Sequence, residues 1–308
     1  MDREVDCTKL WQDLRQELHW EILESGRNPH LRVDLSDGNF GDGASLVGFL
    51  SFIRSHWVQV VGRSELEYLL AHPEQIPQFR KGRLEILVLC EDVQLPREFA
   101  TMMVAEGVAI FRTSLPTRRV LVRLQHYLRT ELAPRCLLHG VLVDILGVGI
   151  LIQGEAGIGK SELALELVSR QHRLVADDSV LCIREAPDVV TGHCPPALQD
   201  FLEVRGLGIV NIRQLFGAAA VIDSKRLRLV VEIRDMSEME LADVDRLQGQ
   251  VDHLSILGVD FPRLRLPVSA ARNLAVLVEA AARGYYVSQS GVDMLAHFDA
   301  QTRRLQTP

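Results

Sequence analysis

Lysine is the charged residue that this sequence has least of. Only four of the 34 basic residues are lysine, and acidic residues outnumber basic ones 41 to 34, for a formal net charge of -7. This balance argues against a broad nucleic-acid footprint or a polybasic membrane surface, since both need clustered basic residues. We therefore expect no nucleic-acid partner and no membrane partner. The four lysines are Lys9, Lys81, Lys160 and Lys225.

Cysteine and long apolar runs are also scarce. The five cysteines are odd in number and widely spaced, which argues against a disulfide framework and fits a reducing compartment. The longest apolar run, residues 141–152, is too short to cross a bilayer and contains Asp144. The acidic N-terminal sequence MDREVDCTKLW lacks the apolar core of a signal peptide. We therefore expect a cytoplasmic protein.

The length of 308 residues indicates about two domains, and we place their boundary near Pro134. Residues 1–132 alternate strand-like and helix-like segments, which predicts a small α/β domain with a parallel sheet. Ser64 is the expected N-cap of one of these helices, and the glycine-rich segment 41–50 is expected to be a turn. The predicted strands are 57–62, 83–90 and 107–113, and the predicted helices are 64–72, 96–106 and 116–132.

Residues 133–308 form the second predicted domain. A strand, a turn and a second strand lead into a glycine-rich loop, a helix and another strand. Alternating apolar residues then predict half-buried strands at 226–235 and 263–268. Helical patterns follow at 271–286 and 291–301.

The glycine-rich loop carries the most specific motif. Gly154, Gly159, Lys160 and Ser161 satisfy G-x-x-x-x-G-K-[ST], between an apolar strand and a helix. In such a loop the backbone N–H groups cradle phosphates, the lysine reaches the β- and γ-phosphates, and the serine hydroxyl can bind Mg²⁺. The alternative is a glycine-rich turn without a ligand. The expected phosphate-binding residues are Gly154, Glu155, Ala156, Gly157, Ile158, Gly159, Lys160 and Ser161.

Two carboxylates end the segment RLVADD, residues 173–178. Adjacent strand residues point to opposite faces, so a bulge or turn is needed to bring both Asp177 and Asp178 into one site. One acid beside Mg²⁺ and one free to accept a proton would suit a kinase. The alternative is an Asp-Asp turn. His139, before the first strand of the site, is by itself more typical of a turn or packing residue.

The segment EVRGLGIVN, residues 203–211, offers a carboxylate and an arginine before two glycines. Glu203 could bind a metal and Arg205 could clamp a phosphate, but a surface loop with an ion pair is an equal alternative. No NKxD sequence occurs, which disfavours the switch GTPases. The HRD and DFG motifs of the common protein-kinase fold are also absent.

Together these segments resemble the HPr kinase/phosphorylase family. The resemblance is carried by HGVLVDILGVGILIQGEAGIGKSELALELV, RLVADDSV, EVRGLGIVNI and RNLAVLVEAAA, with WVQVVGRSELEYL in the first domain. It implies an α/β fold in which a small N-terminal domain precedes a P-loop kinase domain related to the phosphoenolpyruvate carboxykinase type. It also implies a homohexamer.

The resemblance implies roles for individual residues. Ser161 and Glu203 would hold Mg²⁺, with Asp177 on the metal side, and Asp178 would be the general base. His139 would lie near the reacting phosphates, and Arg246 would be a catalytic arginine. A signature loop would serve both reactions: Glu203, Val204, Arg205, Gly206, Leu207, Gly208, Ile209, Val210, Asn211 and Ile212.

The implied activity is bifunctional. ATP or pyrophosphate would phosphorylate a serine of the phosphocarrier HPr, and inorganic phosphate would remove that phosphate and give pyrophosphate. In the loop expected to serve dephosphorylation, Ser269, Ala270 and Ala271 replace the family's usual proline and glycine. We therefore expect a weakened reverse reaction. The loop residues are Pro267, Val268, Ser269, Ala270, Ala271 and Arg272.

Two other functional classes remain open on the residues alone. One is a regulator that binds nucleotide through the P-loop without transferring a phosphate. The other is a kinase of a small molecule. The acid pair Asp177/Asp178 speaks against the regulator, because a sensor needs no base for a serine.

Overall fold

The computed structural model describes residues 3–24, 30–33, 46–49, 56–74, 84–235, 252–268 and 273–291. The chain divides into two compact units, Met1–Ala133 and Pro134–Pro308. No helix in the described ranges is long and apolar enough to cross a membrane.

The first unit is built on a five-stranded sheet of order β2-β7-β6-β5-β4. Strands β4 to β7 are parallel, as the alternating pattern predicts, and β2 joins β7 antiparallel at one edge. A separate antiparallel pair is formed by β1 and β3. The elements are β1 (Arg3–Asp6), α1 (Cys7–Leu18), β2 (Glu21–Glu24), β3 (His30–Val33), β4 (Val47–Phe49), β5 (Val58–Val61), α2 (Arg63–Ala71), β6 (Ile86–Leu89), α3 (Arg97–Ala105), β7 (Ala109–Arg112) and α4 (Thr117–Leu132).

The helical periodicity of α4 is confirmed, because its five periodic apolar residues are all buried against the sheet. Apolar residues at this spacing share one face of a helix, so burying them fixes which side of α4 meets the core. The buried residues are Val120, Leu121, Leu124, Leu128 and Leu132.

Two local predictions in this unit are wrong. Helix α2 begins at Arg63, and its N-cap is Gly62, whose N–H donates to Glu65 Oε2 at 2.9 Å; Ser64 already lies inside the helix. Within the segment expected to be a turn, Val47–Phe49 form strand β4, paired with β5. The segment pairs with the sheet because its apolar side chains are buried there, as Leu46 and Val47 are.

The second unit contains a nine-stranded sheet organised around β16. The elements are β8 (Arg135–His139), β9 (Val141–Ile145), β10 (Val148–Gly154), α5 (Lys160–Ser169), β11 (Arg173–Ala176), β12 (Ser179–Ala186), β13 (Val189–His193), β14 (Phe201–Val204), β15 (Gly208–Asn211), α6 (Ile212–Phe216), β16 (Ser224–Asp235), β17 (Asp252–Ile256), β18 (Val259–Val268) and α7 (Leu274–Gln289).

Strand β16 joins two parts of this sheet. Its first residues pair antiparallel with β13, which continues to β12 and β8. Its later residues run parallel to β10 on one side and to β18 on the other. The carboxyl ends of β10, β16 and β18 therefore lie side by side at the same end of the sheet, where ligands of α/β sheets commonly bind.

Both faces of this central strand are covered. Val231 packs in the cluster that includes α5 and α7, whereas Val230 packs in the cluster that includes β12 and β13. The prediction that 226–235 is only half-buried is therefore wrong at its centre, because a second layer covers the face that alternation alone assigns to solvent. The predicted helix at 291–301 lies outside the described residues beyond Gly291.

Candidate active site

The glycine-rich loop joins β10 to α5, as predicted. Gly157 and Gly159 have φ angles of 80° and 101°, in the left-handed region that favours glycine. A side chain at Gly154 would lie 2.6 Å from the carbonyl oxygen of Ile233, so only glycine allows β10 and β16 to approach here. Gly159 is the N-cap of α5 and offers no side chain to its first N–H groups. Those donors are therefore available to a phosphate.

Lys160 lies inside the loop. Its Nζ donates to the carbonyl oxygens of Gly154 at 2.9 Å and Glu155 at 2.8 Å, and the residue is 7% exposed. A buried ammonium group needs such partners, because losing water is costly for a charge. The position is one from which the group can exchange carbonyl oxygens for phosphate oxygens.

Asp177 connects the loop to a distant strand. The Ser161 hydroxyl donates to Asp177 Oδ1 at 3.1 Å, and the Glu203 N–H donates to Oδ2 at 3.0 Å. Asp177 is 5% exposed, and burial raises the pKa of its carboxyl group, although the hydrogen bonds from Glu203 and Ser161 act in the opposite direction. Three residues that are far apart in the sequence thus meet at one carboxylate.

Asp178 turns out of the strand into solvent. Its φ is 64°, and Ser179 N–H donates to the Asp177 carbonyl oxygen at 2.7 Å, so a three-residue turn joins β11 to β12. This is the turn that the adjacent acids require if both are to reach one site. The Asp178 side chain is 66% exposed, which leaves one acid buried beside Ser161 and the other accessible.

His139 is the partner of Asp178. It is the last residue of β8 and pairs with Ser179 of β12 in the sheet. Its Nδ1 lies 3.2 Å from Asp178 Oδ1, and its side chain is 56% exposed. Strand pairing therefore holds the His139 ring in an exposed position beside Asp178, and His139 is not a packing residue.

Glu203 lies in a hairpin formed by β14 and β15. Leu202 and Val204 are buried, so the alternation of the strand directs Glu203 outwards, opposite Ile209. Gly206 and Gly208 have φ angles of 89° and 79°, as the tight connection requires. Asn211 then caps α6 by accepting from the Gln214 N–H at 2.9 Å.

The oxygen donors of this site fit Mg²⁺. They are the Ser161 hydroxyl and the Asp177 carboxylate, which contact each other, and hard oxygen ligands are those that Mg²⁺ prefers. No group of three or more His, Cys, Asp or Glu residues is placed to hold a metal by itself in the part of the chain that the structure describes.

Two residues near His139 were given no role by the sequence patterns. Gly140 N–H donates to the Asp178 carbonyl oxygen at 3.1 Å, and Gln153 Nε2 donates to the His139 carbonyl oxygen at 3.4 Å. A Cβ on Gly140 would lie 2.6 Å from the Ile152 carbonyl oxygen. A glycine between two strand patterns was the available signal.

Some predicted site residues lie outside the described ranges. They are Arg246 and the loop residues Ser269, Ala270, Ala271 and Arg272. Pro267 and Val268 end β18, where Val268 pairs with Asp235 of β16.

The geometry defines a two-domain α/β protein in which a glycine-rich loop, a buried acid and an exposed acid–histidine pair lie at one end of a sheet. Two family models account for nearly the whole chain. The HPr Serine kinase N terminus model matches residues 5–128, and the HPr Serine kinase C-terminal domain model matches residues 130–302. The chain belongs to the HPr serine kinase family.

Curated relatives agree over most of their length. A protein of Nitrosomonas europaea named HPr kinase/phosphorylase is 40% identical over 96% of this chain and 93% of its own length. Proteins of the same name from Azoarcus sp. and Bacillus pumilus are 44% and 35% identical, over 85% and 94% of this chain and the same shares of their own. A solved structure, the Hpr(Ser) kinase/phosphatase from Coxiella burnetii, is 33% identical with a TM-score of 0.48, covering 53% of this chain and 98% of its own.

Proposed function

We propose that this protein transfers a phosphoryl group from ATP or pyrophosphate to a serine of an HPr-like phosphocarrier, and removes it again with inorganic phosphate. Membership of the HPr serine kinase family supports the substrate. The observation that supports this chemistry is that two adjacent acids have different surroundings. Asp177 is buried against Ser161 and the Glu203 backbone, whereas Asp178 is exposed beside His139.

In the forward direction, the loop N–H groups and Lys160 bind the donor phosphates. Ser161, Glu203 and Asp177 would hold Mg²⁺, which when bound neutralises charge on those phosphates. Asp178 accepts the proton of the serine hydroxyl as the serine oxygen bonds to the terminal phosphorus of the donor. The bond from that phosphorus to the bridging oxygen breaks, and ADP leaves, or inorganic phosphate when pyrophosphate is the donor. His139 orients the Asp178 carboxylate through the contact at 3.2 Å.

In the reverse direction, an oxygen of inorganic phosphate bonds to the phosphorus of phosphoserine. The bond from that phosphorus to the serine oxygen breaks, Asp178 returns the proton to the serine, and pyrophosphate leaves. Arg246 and the signature loop, Glu203–Ile212, belong to this proposal as participants in both reactions. We further propose that the exchange of proline and glycine for Ser269, Ala270 and Ala271 weakens the reverse reaction.

Other parts of the proposal rest on the family resemblance. They are a second domain of the phosphoenolpyruvate carboxykinase-like P-loop type, a homohexamer, a cytoplasmic location, and a role of residues 1–132 in regulation or assembly. Residues 133–308 would carry catalysis. Size measurement in solution tests the homohexamer, and the activity of a fragment beginning near Pro134 tests the roles of residues 1–132 and 133–308.

The first experiment mixes the purified protein with Mg-ATP and HPr, follows HPr by intact mass, and then adds inorganic phosphate and assays pyrophosphate. We expect a single phosphoserine on HPr, followed by its slower removal. Nucleotide binding without phosphoserine would favour a sensor, and transfer to a metabolite with HPr untouched would favour a small-molecule kinase. A removal rate comparable to the forward rate would contradict the weakened reverse reaction.

Asp178→Asn tests the general base. We expect transfer to HPr to fall by about 10²- to 10⁴-fold, because the amide cannot accept the serine proton. Nucleotide affinity should stay within about twofold, since the phosphates are bound by the loop. Asp188→Asn is the matched control, because Asp188 is an exposed acid that contacts Arg226. Full activity in Asp178→Asn would remove this residue from its role.

A further inference from the structure

A cluster of charged side chains lies beside the candidate active site and has no part in the chemistry above. It consists of three arginines and two acids on the carboxyl-end segments of β16 and β18 and on β17. Their neighbours Val230 and Phe261 belong to the buried cluster on the face away from α5 and α7, and strand alternation places these side chains on that same face. The residues are Glu232, Arg234, Asp252, Arg263 and Arg265, which we call the arginine cluster.

Glu232 holds the cluster together. Arg234 donates from Nε at 3.0 Å and Nη2 at 2.8 Å to one carboxylate oxygen. Arg265 Nε donates to the other oxygen at 3.1 Å, and Arg263 Nη1 lies 3.5 Å from it. Burial acts to raise the pKa of Glu232, but these guanidinium groups outweigh it and lower that pKa. Glu232 is therefore ionised at neutral pH, and Asp252 binds Arg263 and Arg265 from the other side.

Strand register places the cluster beside Gln153, which separates it from His139 and Gly140. Gln153 pairs with Glu232, and Glu232 pairs with Arg265. On its other side Gln153 donates to the His139 carbonyl oxygen, and a Cβ on Gly140 would lie 3.4 Å from Gln153 Cγ. Adjacent strands lie about 4.8 Å apart, so Glu232 is about two strand spacings from Gly140.

Arg234 lies two residues beyond Glu232, toward the carboxyl end of β16. It follows Ile233, whose carbonyl oxygen borders Gly154 of the phosphate loop. Its side chain is 44% exposed, against 34% for Arg265 and 19% for Arg263. Its contacts within the described ranges go to Glu232 alone, two residues back on the same strand.

This geometry suits a ligand. A guanidinium group has five N–H donors in a planar fork, and Arg234 uses only part of them on Glu232. The cluster carries three positive charges and two negative ones, so it keeps an excess positive charge at the edge where the parallel strands end. Because Glu232 orients Arg234 in advance, binding an oxyanion would immobilise little additional side-chain freedom.

We propose that Arg234, held by Glu232, binds a tetrahedral phosphate dianion on the acceptor side of the site, and that this dianion is the phosphoseryl group of the protein substrate. The choice of phosphoserine rests on the proposed function. The phosphate loop serves the donor side, whereas Arg234 lies on the His139 side of the sheet. Glu232 is in this proposal a positioning residue.

The test compares Arg234→Gln with the wild-type protein by calorimetric titration, with ADP filling the phosphate loop. We expect the Kd for seryl-phosphorylated HPr to rise about tenfold or more, because a charge-assisted hydrogen bond is lost. The Kd for unphosphorylated HPr should stay within about twofold. Arg234→Lys should recover part of the loss, since it restores the charge but not the fork.

Arg226→Gln is the matched control. Arg226 is an arginine of the same strand, 36% exposed and bound to Asp188, at the opposite end of β16. We expect it to leave both Kd values unchanged. Glu232→Gln should shift the phospho-HPr Kd in the same direction as Arg234→Gln but less, because Arg234 then keeps its donors and loses its orientation.

The two sources of phosphate are separated by titrating inorganic phosphate in the same variants. A change confined to phospho-HPr sustains phosphoserine as the ligand, and a change confined to inorganic phosphate moves the site to free phosphate. Equal losses for phosphorylated and unphosphorylated HPr, or no loss for any ligand, would overturn the proposal. If the proposed function is wrong, the wild-type protein will not transfer phosphate to HPr. The inorganic-phosphate titration still shows in that case whether Arg234 binds a phosphate dianion.

Discussion

The carboxyl end of the parallel sheet in the first domain and that in the second both meet helix N-termini. Each N-terminus carries backbone N–H groups without a partner in the helix and a partial positive charge. The two domains differ in which groups lie against these N–H donors.

In the first domain the chain supplies its own anion. The Glu91 carboxylate accepts from the Thr117 hydroxyl at 3.1 Å and the Thr117 N–H at 3.4 Å, at the start of α4. It also accepts from the Arg63 N–H at 3.4 Å, at the start of α2. Glu91 has a φ of 58°, so the loop after β6 bends into the left-handed region and places its carboxylate between two helices.

In the second domain the equivalent place is the glycine-rich loop at the start of α5. Helix α5 begins at Lys160 after Gly159, and no side chain caps it within the described residues. The Lys160 ammonium is buried inside the loop and is bound to two carbonyl oxygens. The comparison teaches that similar sheet ends differ in whether a carboxylate of the chain occupies the helix N-terminus, and the proposed function depends on the one that Gly159 leaves uncapped.

The largest effect should come from removing the charge inside the loop. Lys160→Met is expected to reduce phosphoryl transfer by about 10³-fold or more, because the lysine supplies a positive charge where phosphate charge is held. Initial rates with Mg-ATP and HPr measure this. Lys9→Met is the control, since Lys9 forms a surface ion pair with Glu131. An active Lys160→Met enzyme would show that the loop does not bind the donor phosphates.

Asp177→Asn should separate activity from stability. We expect transfer to fall by about 10²-fold, because a group on the metal side is lost. We also expect the free energy of unfolding at neutral pH to rise or stay unchanged. The folded pKa of Asp177 is raised by burial, so its favourable contribution is present below the unfolded pKa and lost as pH rises through the folded value.

Urea unfolding at several pH values checks this sign. The wild-type protein should gain stability relative to Asp177→Asn as pH falls toward the raised pKa. A marked loss of stability in Asp177→Asn at neutral pH would instead mean that Asp177 is a structural link between Ser161 and the Glu203 backbone.

The smallest effect on activity should come from the first domain. Glu91→Ala is expected to lower the free energy of unfolding by about 1–2 kcal/mol, because two helices lose a capping acceptor. Activity of the remaining folded protein should not change. Thermal unfolding and kinase rates on the same samples measure the two effects.

The pH dependence of that loss gives a second check. Burial acts to raise the pKa of Glu91, but hydrogen bonds from Arg63 and Thr117 lower it overall. A depressed folded pKa gives stability that is present above the unfolded pKa and is lost as pH falls through the folded one. The difference between Glu91→Ala and the wild-type protein should therefore be smaller at about pH 3 than at about pH 7. A constant difference would mean that the carboxylate charge plays no part.

Local patterns predicted local structure well. The strand, loop and helix around Gly154–Ser161 could be predicted from the sequence, because glycines, an apolar run and a following helical pattern lie next to one another in the chain. The helix cap at Gly62 was not readable. It depends on Glu65 and, across the domain, on Glu91, whereas Ser64 satisfies the local rule for an N-cap.

Contacts between distant segments were the least predictable. The acids at Asp177 and Asp178 showed that a turn would be needed, but not that Glu203 N–H would bind Asp177 or that Asp178 would contact His139. Register across β10, β16 and β18 also brings Gln153, Glu232 and Arg265 into one row. No spacing in the sequence reveals that row.

The sequence by itself determined the glycine-rich loop, its helix and the presence of two adjacent acids, because each depends on residues that are neighbours along the chain. The tertiary structure decided which acid is buried and which is exposed, since that depends on the turn at Asp178 and on the strands that pack around Asp177. It also decided that one helix N-terminus is filled by Glu91 and another is open at Gly159. Burial and pairing across a sheet are properties of the folded chain, and they determine what the same chemical groups can do.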